Sequence, residues 1–490
     1  MRIVFIVRST YGGERLGAQT LLSVAKEEGF DTFFYAHDSI PEENLFHQIE
    51  DIKPDVIAYS AMTYEHTTLQ NLNQELKKRL SFISIFGGPH YTFTPEEIDS
   101  NEHMDVTCAG EGENAFRSFL KHLKNKTDYT KVNNLSVRHN KIVHKNPLGP
   151  LIANLDEVPF ADRKVILLDK KDRQYVGGCY SVMVSRGCPY LCTYCFNVQY
   201  NKLYKTANPH QHVIRRRSAA NVVAEMKKIK QEVNVEYFNI ADDTFNLIPK
   251  DYIDEFCERY KEEIALPFTA QFRTNLVNED IIKALKEAGM FSIYCAIECG
   301  DEEVSRNILK RGITNDQIRH AYRIFNKCKL KTLAQNMVGL PVENPVEDAW
   351  KTIKFNIENK VTYSHFTLLL PFPKTPMERY CKENGYLPES NNHYDLAPSV
   401  FTRSVLKFKT KKDSQQLENL HKFASIVVRY PFLIPLVKLL IKLPPNIVFQ
   451  YIFFVWHGYN RTVVLRNVKW NFSLIFKGLG QISNYLRQHT

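Results

Sequence analysis

Short apolar runs that end in glycine or serine, each followed by an amphipathic helical pattern, recur along most of this chain, and no feature restricts its fold more. In the first 125 residues the runs are RIVFIV (2–7), DTFFYA (31–36), DVIAYS (55–60), FISIFGG (82–88) and DVTCAG (105–110). Patterns such as AQTLLSVAKEEG and TTLQNLNQELKKRL lie between them. Continuous apolar strands separated by helices call for a sheet covered on both faces, so the expected N-terminal fold is an α/β doubly wound parallel sheet. In such sheets ligands sit beyond the carboxyl ends of the strands. The tips there are small or polar: Arg8-Ser9-Thr10, Ser60-Ala61-Met62-Thr63, Gly87-Gly88-Pro89-His90 and Gly110-Glu111-Gly112-Glu113. Their glycines either make tight strand-to-helix turns or let a flat, bulky ligand approach the backbone.

The alternation pauses over a less regular connector that carries a hairpin at Asn134–His144, and it resumes at 181. SVMVSRG, VEYFNIADD, FTAQFRTN, FSIYCAIECG, KTLAQNMVGLP and TYSHFTLLLP are strand candidates, with helices such as AANVVAEMKKIKQEV and NEDIIKALKEAG between them. At least six β/α units with polar strand ends predict a full or partial (β/α) barrel whose site lies at the carboxyl face. The expected organisation is a ligand-binding sheet domain (1–130), a connector (131–180), a barrel (181–390) and a basic helical region (391–490). No internal repeat interrupts it.

Ten cysteines lack the spacing of a secreted disulfide scaffold, which predicts a reducing cytoplasm. The apolar run Ile3–Val7 is too short for a signal-peptide core and reads as a buried first strand. Three thiols stand together in SRGCPYLCTYCFN (185–197): Cys188, Cys192 and Cys195, spaced C-x3-C-x2-C. Structural zinc takes four ligands, and no second close pair follows. Cys295 and Cys299 lie in FSIYCAIECG, which reads as one strand with both thiols on the same side. A [4Fe–4S] cluster usually takes four cysteines. Three would leave one iron open to a substrate or cofactor.

With an aromatic, Tyr194, before the third cysteine, this motif resembles that of the radical S-adenosylmethionine enzymes. The resemblance implies that Cys188, Cys192 and Cys195 ligate the cluster and that S-adenosylmethionine chelates the open iron. It places Tyr194 and Phe196 on the adenine side, and Asp242 and Asp243 of NIADDTF near the methionine ammonium, where a strand-tip carboxylate accepts a charge-assisted hydrogen bond. Glu298 in AIECGDEE resembles the family's GxES strand, although Ala296 replaces the glycine and Cys299 the serine. Arg273, Arg311 and Asn336 are candidate ribose and carboxylate contacts, and LLLPFPKTPM (368–377) resembles the proline-rich close of the barrel.

The N-terminal sheet, with FGGPH and AGEGE at its tips, is similar to the cobalamin-binding domains of the same superfamily. That similarity assigns cobalamin to Ser9, Thr10, Ser60, Thr63, Gly87, Gly88, His90, Gly110 and Glu111. Members that bind cobalt through histidine carry D-x-H-x-x-G after the first strand, whereas RSTYGGERLG has no histidine there. The combined resemblance spans roughly residues 1–390. It implies methylation of an unactivated carbon, through a 5′-deoxyadenosyl radical and methylcobalamin, on a small-molecule or lipid substrate. An electron donor such as flavodoxin or ferredoxin would reduce the cluster. The alternative is radical cyclisation, rearrangement or carbon–carbon coupling with the same cofactors.

The charge distribution sets the last hundred residues apart. Of 64 basic residues nine fall in 419–490, where there is no Asp or Glu; the remaining 55 face 54 acids over 1–418. The longest uncharged stretch, Leu443–Asn460, contains Pro444, Pro445, Asn446, Gln450 and His457, which argues against a spanning helix. Two readings stand: helices lying on anionic lipid at the inner face of the membrane, or an ordinary helical cap with a solvated basic face. No recognised nucleic-acid-binding motif accompanies the charge, so no nucleic-acid partner is expected.

Overall fold

A computed structural model describes residues 1–9, 14–164, 178–387 and 401–466. The chain divides into two units: Met1–Pro189 with Gln199–Glu236, and Tyr190–Val198 with Tyr237–Thr490.

The first unit begins with β1 (Arg2–Val7), α1 (Leu16–Glu27), β2 (Asp31–Ala36), α2 (Glu42–Ile52), β3 (Val56–Ser60), α3 (His66–Arg79) and β4 (Ile83–Gly87). Two short helices, α4 (Pro89–Phe93) and α5 (Glu97–Ser100), precede β5 (Val106–Cys108) and α6 (Glu113–Asn125). The hairpin expected at 134–144 is β6 (Leu135–His139) and β7 (Ile142–Lys145). The sheet order is β2-β1-β3-β4-β5-β6-β7. Strands β1 to β5 are parallel, and the hairpin adds two antiparallel strands. β1 is buried from Ile3 to Val7, as its continuous apolar run requires. Val4, Ile6, Ile57 and Phe86 meet Leu45, Ile49, Leu69 and Leu72 on one face, while Phe5 packs edge-on to Phe116 of α6 on the other.

The order reverses between β1 and β3, the position at which an open α/β sheet leaves a crevice. Register pairs Val7 with Ser60 and Ser60 with Gly87, so the tips after β1, β3 and β4 stand side by side. Farther along come β8 (Cys179–Val182), β9 (Ser185–Arg186), α7 (Phe196–Ala207), β10 (Arg215–Arg216) and α8 (Ala219–Glu232), the last capped by the Ser218 hydroxyl.

The second unit repeats strand and helix: β11 (Tyr237–Ile240), α9 (Lys250–Glu263), β12 (Phe268–Phe272), α10 (Glu279–Ala288), β13 (Met290–Cys295), α11 (Glu302–Asn307), α12 (Asn315–Lys327), β14 (Lys331–Val338), α13 (Pro345–Glu358), β15 (Tyr363–Leu368) and α14 (Pro376–Glu383). Its five strands run parallel in spatial order β11 to β15, the half-barrel form of the two barrel alternatives. The strand read through 291–300 is shorter than expected. β13 stops at Cys295, and Glu298 adopts φ +64°, so Cys295 and Cys299 are not strand neighbours on one face. Cys299 instead turns outward and donates to Asp348 of α13 at 3.3 Å.

Three helices follow: α15 (Lys411–Arg429), α16 (Ile434–Leu440) and α17 (Ile447–Tyr459). α15 opens on a Thr410–Asp413 capping box and lays Leu417, Leu420, Ala424 and Val427 against Phe366 and Leu368 of β15. β15 ends the sheet, and this helix covers its outer face.

Candidate functional site

None of the three cysteines of the loop is in a disulfide, Cys192 being buried and Cys188 and Cys195 half-buried. Cys195 N donates to Cys192 O at 3.1 Å, which folds the C-x2-C segment into a turn just before α7. Asn201 of α7 donates to Cys188 O at 2.7 Å. Gly187 holds φ +91°, and a Cβ there would lie 2.2 Å from Val213 O, so the backbone ahead of Cys188 passes where only glycine fits. Three cysteines with no disulfide among them form a soft donor set of the kind that iron–sulfur clusters use.

The rim of the half-barrel carries opposite charges. After β12, the Arg273 guanidinium stacks on the Tyr190 ring at 3.5 Å, reaches Cys192 Sγ at 3.7 Å and donates to Arg311 O. Arg311 donates to Ile297 O at 2.5 Å and Ala296 O at 3.2 Å, bracing the turn that carries Glu298. Tyr194 OH donates to Glu298 Oε1 at 3.2 Å, and a β-bridge joins Glu298 to Asn336. Burial pushes the Glu298 carboxyl up, while the Arg311 charge and the Tyr194 hydrogen bond pull it down. Burial likewise drives the Tyr194 phenol well above its usual range. Phe196 packs edge-on to Phe372 at 5.1 Å. Asp242 is buried at the tip of β11, whereas Asp243 is exposed. Arg273 Nε and Arg311 Nε are buried with no partner among the described residues, and such donors fit a carboxylate or ribose ligand.

Below the rim, alternation along each strand defines the inner face. Asn336 and Ser364 reach Asn356 of α13, so the even positions of β14 and β15 point outward. The opposite face of β11 to β15 presents Tyr237, Asn239, Thr269, Gln271, Ser292, Tyr294, Leu333, Gln335, Met337, Tyr363, His365 and Thr367. None of the twelve is an acid, lysine or arginine, and the exposed Lys331 at the start of β14 shares their face. Asn239, Gln271, Gln335, His365 and Thr367 are half-buried in spite of their position on a central sheet. Burial and the nearby Arg461 charge lower His365 to about 3, which keeps its imidazole neutral.

In the first unit, the tip residues fit a ligand that lies on backbone. Gly88 has φ +98°, and a Cβ would stand 2.8 Å from Ala61 O and 3.2 Å from Ser60 Oγ. Ser9 and Ser60 are half-buried and Thr63 is buried beside them. Gly87 and Gly110 occupy the adjoining tips, Gly110 against Tyr204 OH. Thr10 lies outside the described residues.

Several residues singled out by sequence are committed elsewhere. Glu111 takes Arg215 through two hydrogen bonds of 2.8 Å and Arg186 at 3.0 Å, while its backbone N donates to Tyr204 OH. His90 is buried, its Nε2 on Glu97 at 2.7 Å and its ring stacked on His66 at 4.0 Å. The Asn336 amide is spent on Asn356, Ala334 O and His365 O. Sequence reasoning missed Tyr190, Arg186, Arg215 and the inner-face His365. The signal for Arg186 was its place two residues before Cys188.

Residues 182–355 match the model of the radical SAM superfamily, and residues 2–120 match that of the B12 binding domain. A chain so composed is a cobalamin-binding radical S-adenosylmethionine protein. An uncharacterized methyltransferase of Pyrococcus horikoshii is 30% identical over 388 residues, covering 77% of this chain and 81% of the relative. Among solved structures, the cobalamin-dependent S-adenosylmethionine radical enzyme OxsB matches the whole chain and 75% of its own, with TM-score 0.69 and 16% identity. The radical S-adenosylmethionine methyltransferase TsrM of Kitasatospora setae matches 78% of this chain and 76% of its own, with TM-score 0.63 and 14% identity. At those identities the two structures show the fold alone. The chain belongs to the cobalamin-dependent radical S-adenosylmethionine methyltransferase family. Its cofactors are a [4Fe–4S] cluster, S-adenosylmethionine and cobalamin, and its substrate is a small molecule. Among the described residues no helix is long and apolar enough to cross a membrane.

Proposed function

We propose that this enzyme methylates an unactivated carbon of a substrate held against the inner face of β11 to β15. The observation that supports it is the disulfide-free cysteine loop with the Arg273 guanidinium at Cys192 Sγ, set above an inner face whose one charged strand residue, Lys331, lies at the exposed start of β14. When bound, the cluster with S-adenosylmethionine supplies a 5′-deoxyadenosyl radical, and cobalamin supplies the methyl group. Cys188, Cys192 and Cys195 would hold the cluster. Arg273 and Arg311 would orient the carboxylate or ribose of S-adenosylmethionine, Asp242 and Glu298 its ammonium and hydroxyls, and Tyr194 and Phe196 its adenine. Ser9, Ser60, Thr63 and the glycines at 87, 88 and 110 would carry cobalamin, with no histidine from the loop after β1 on cobalt.

The inner-face residues bind and orient the substrate with neutral hydrogen bonds and shield it from water. A carbon that cannot ionise needs no general base there, which agrees with the lack of an acid among these strand residues. Glu111 is assigned a positioning role through Arg186, two residues before Cys188. The reading includes an external one-electron donor of the flavodoxin or ferredoxin type and peripheral contact of 419–490 with the inner membrane face.

Anaerobically reconstituted holoenzyme with cobalamin, a strong reductant and S-adenosylmethionine tests it. With substrate present, 5′-deoxyadenosine and S-adenosylhomocysteine should rise together, and deoxyadenosine alone would turn the reading toward cyclisation or rearrangement. Cys188→Ala, Cys192→Ala and Cys195→Ala should each lose the cluster, whereas Cys179→Ala should keep it.

A further inference from the structure

Thirteen large apolar side chains are exposed among the described residues, and nine of them fall between Tyr430 and Val455. Phe432 is 76% exposed, Leu439 63% and Val448 60%. On α17 the exposed Ile447, Val448, Ile452 and Val455 fall within an arc of roughly 140° at 100° per residue. The opposite arc is satisfied by the protein. Phe449 packs on Phe423 at 4.7 Å, Phe453 on His421 at 4.7 Å, and Trp456 Nε1 donates to Ser425 Oγ at 3.0 Å. The exposed arc is therefore not needed for the core of this unit. Arg429, Lys438 and Lys442 are exposed along the same stretch, and no acid follows Glu418.

We infer that the exposed face of α16, the following turn and α17 docks on an anionic bilayer surface and that the substrate is a lipid drawn from that bilayer. Charge decides between lipid and a second copy of the chain. A two-fold contact through this face would set Arg429, Lys438 and Lys442 against their own copies with no acid of the segment to offset them. Anionic headgroups complement the same cations, at about fivefold in affinity per charge near the surface. The docking face is joined to the inner face of the half-barrel by one helix. From its buried side α17 sends His457 to Tyr363 OH at 2.6 Å and to the His365 ring at 4.8 Å. A molecule resting on the outer arc is thus about one helix diameter, roughly 10 Å, from the inner-face residues of β15. The substrate class rests on the proposed methyl transfer at that inner face; the docking surface does not.

The holoenzyme should sediment with phosphatidylglycerol–phosphatidylcholine vesicles, and far less with phosphatidylcholine alone. Lys438→Gln/Lys442→Gln should weaken the first interaction by roughly 25-fold, and Leu439→Glu/Val448→Glu should abolish it while iron content and 5′-deoxyadenosine formation stay at wild-type level. Equal sedimentation of the Glu variant and wild type would overturn the docking face. So would a dimer, seen by gel filtration, that the Glu variant dissolves. With methyl-labelled S-adenosylmethionine and a total lipid extract, label should enter the organic phase. Accumulation of S-adenosylhomocysteine with no lipid-borne label would overturn the substrate class and leave methyl transfer standing. No S-adenosylhomocysteine despite an intact cluster would count against methyl transfer itself, with docking still decided by sedimentation.

Discussion

Replacing Gly187 with alanine tests whether the path of the backbone ahead of Cys188 is what allows the cluster to form. Gly187 combines two constraints, φ +91° and a Cβ position 2.2 Å from Val213 O and 2.9 Å from Val213 C. A left-handed alanine costs about 1–2 kcal/mol. The collision adds to it, because a Cβ does not approach within 3.0 Å and its neighbour here is backbone. The ladder that would have to open is only two residue pairs long, Arg186 with Arg215 and Ser185 with Arg216. It has little with which to resist, so the strain parts the strands or displaces Cys188. A combined cost of roughly 3 kcal/mol is about a hundredfold shift between the seated and displaced loop. Gly385 supplies the control, since it has φ +73° with nothing within 4 Å of the added Cβ. Gly187→Ala should show a severalfold loss of iron and sulfide per chain after anaerobic reconstitution, with faster hydrogen exchange at 185–187 and 213–216. Gly385→Ala should match wild type. If both variants hold full clusters and exchange alike, the close passage of backbone at Gly187 does not govern cluster assembly.

Arg273→Lys removes the planar stack on Tyr190 and the forked donor, and should weaken S-adenosylmethionine binding about tenfold in anaerobic equilibrium dialysis. Asp348, which accepts from the Cys299 thiol, is pushed by burial to about 6. A carboxyl whose folded pKa exceeds its unfolded value favours folding when protonated, so stability should fall as pH rises from about 4 to about 6, by about 3 kcal/mol in all. Asp348→Asn should flatten that slope in urea midpoints measured across the window. Arg163 is buried between Glu14 and Glu225, and Arg163→Met should lower stability by about 3–5 kcal/mol, because Glu14 is left with a buried, uncompensated charge. Hydrogen exchange in β8 would report it, since Arg163 also donates to Ser181 O at 2.7 Å.

Local pattern made β1 to β5 legible within a residue or two, because parallel strands are written as short apolar runs, those of β4 and β5 being closed by glycine. The same rule overshot at 291–300, where Ala296 and Ile297 extend the apolar run although the chain turns at Glu298. Apolarity marks burial, and a buried turn reads like strand. The cysteine loop was legible because its ligands lie within eight residues. Glu111 and His90 were placed at the correct tips, yet their side chains serve Arg186, Arg215 and Glu97, partners that only the fold brings near. The inner-face residues were hidden for a related reason. Gln271, Gln335 and His365 sit on three strands of ordinary composition, and only register sets them on one side of the sheet.

Charge is distributed across the half-barrel in a way that separates two binding tasks. The rim carries Arg273, Asp242 and Glu298 just beyond strand ends and Arg311 in the turn between α11 and α12, all four buried or half-buried. A zwitterionic amino-acid head such as that of S-adenosylmethionine requires both signs, and in a low-dielectric setting each pairing is stronger than in water. The inner face below offers amides, hydroxyls and an imidazole that burial keeps neutral. An anionic substrate on that face would lose its hydration, with Arg461 as the nearby cation. A neutral hydrocarbon frame with a few polar groups would lose little and could still be oriented by Gln271, Gln335 and His365. Such a frame presents carbon–hydrogen bonds that no side-chain base could ionise, which is the kind of carbon for which radical methylation is needed.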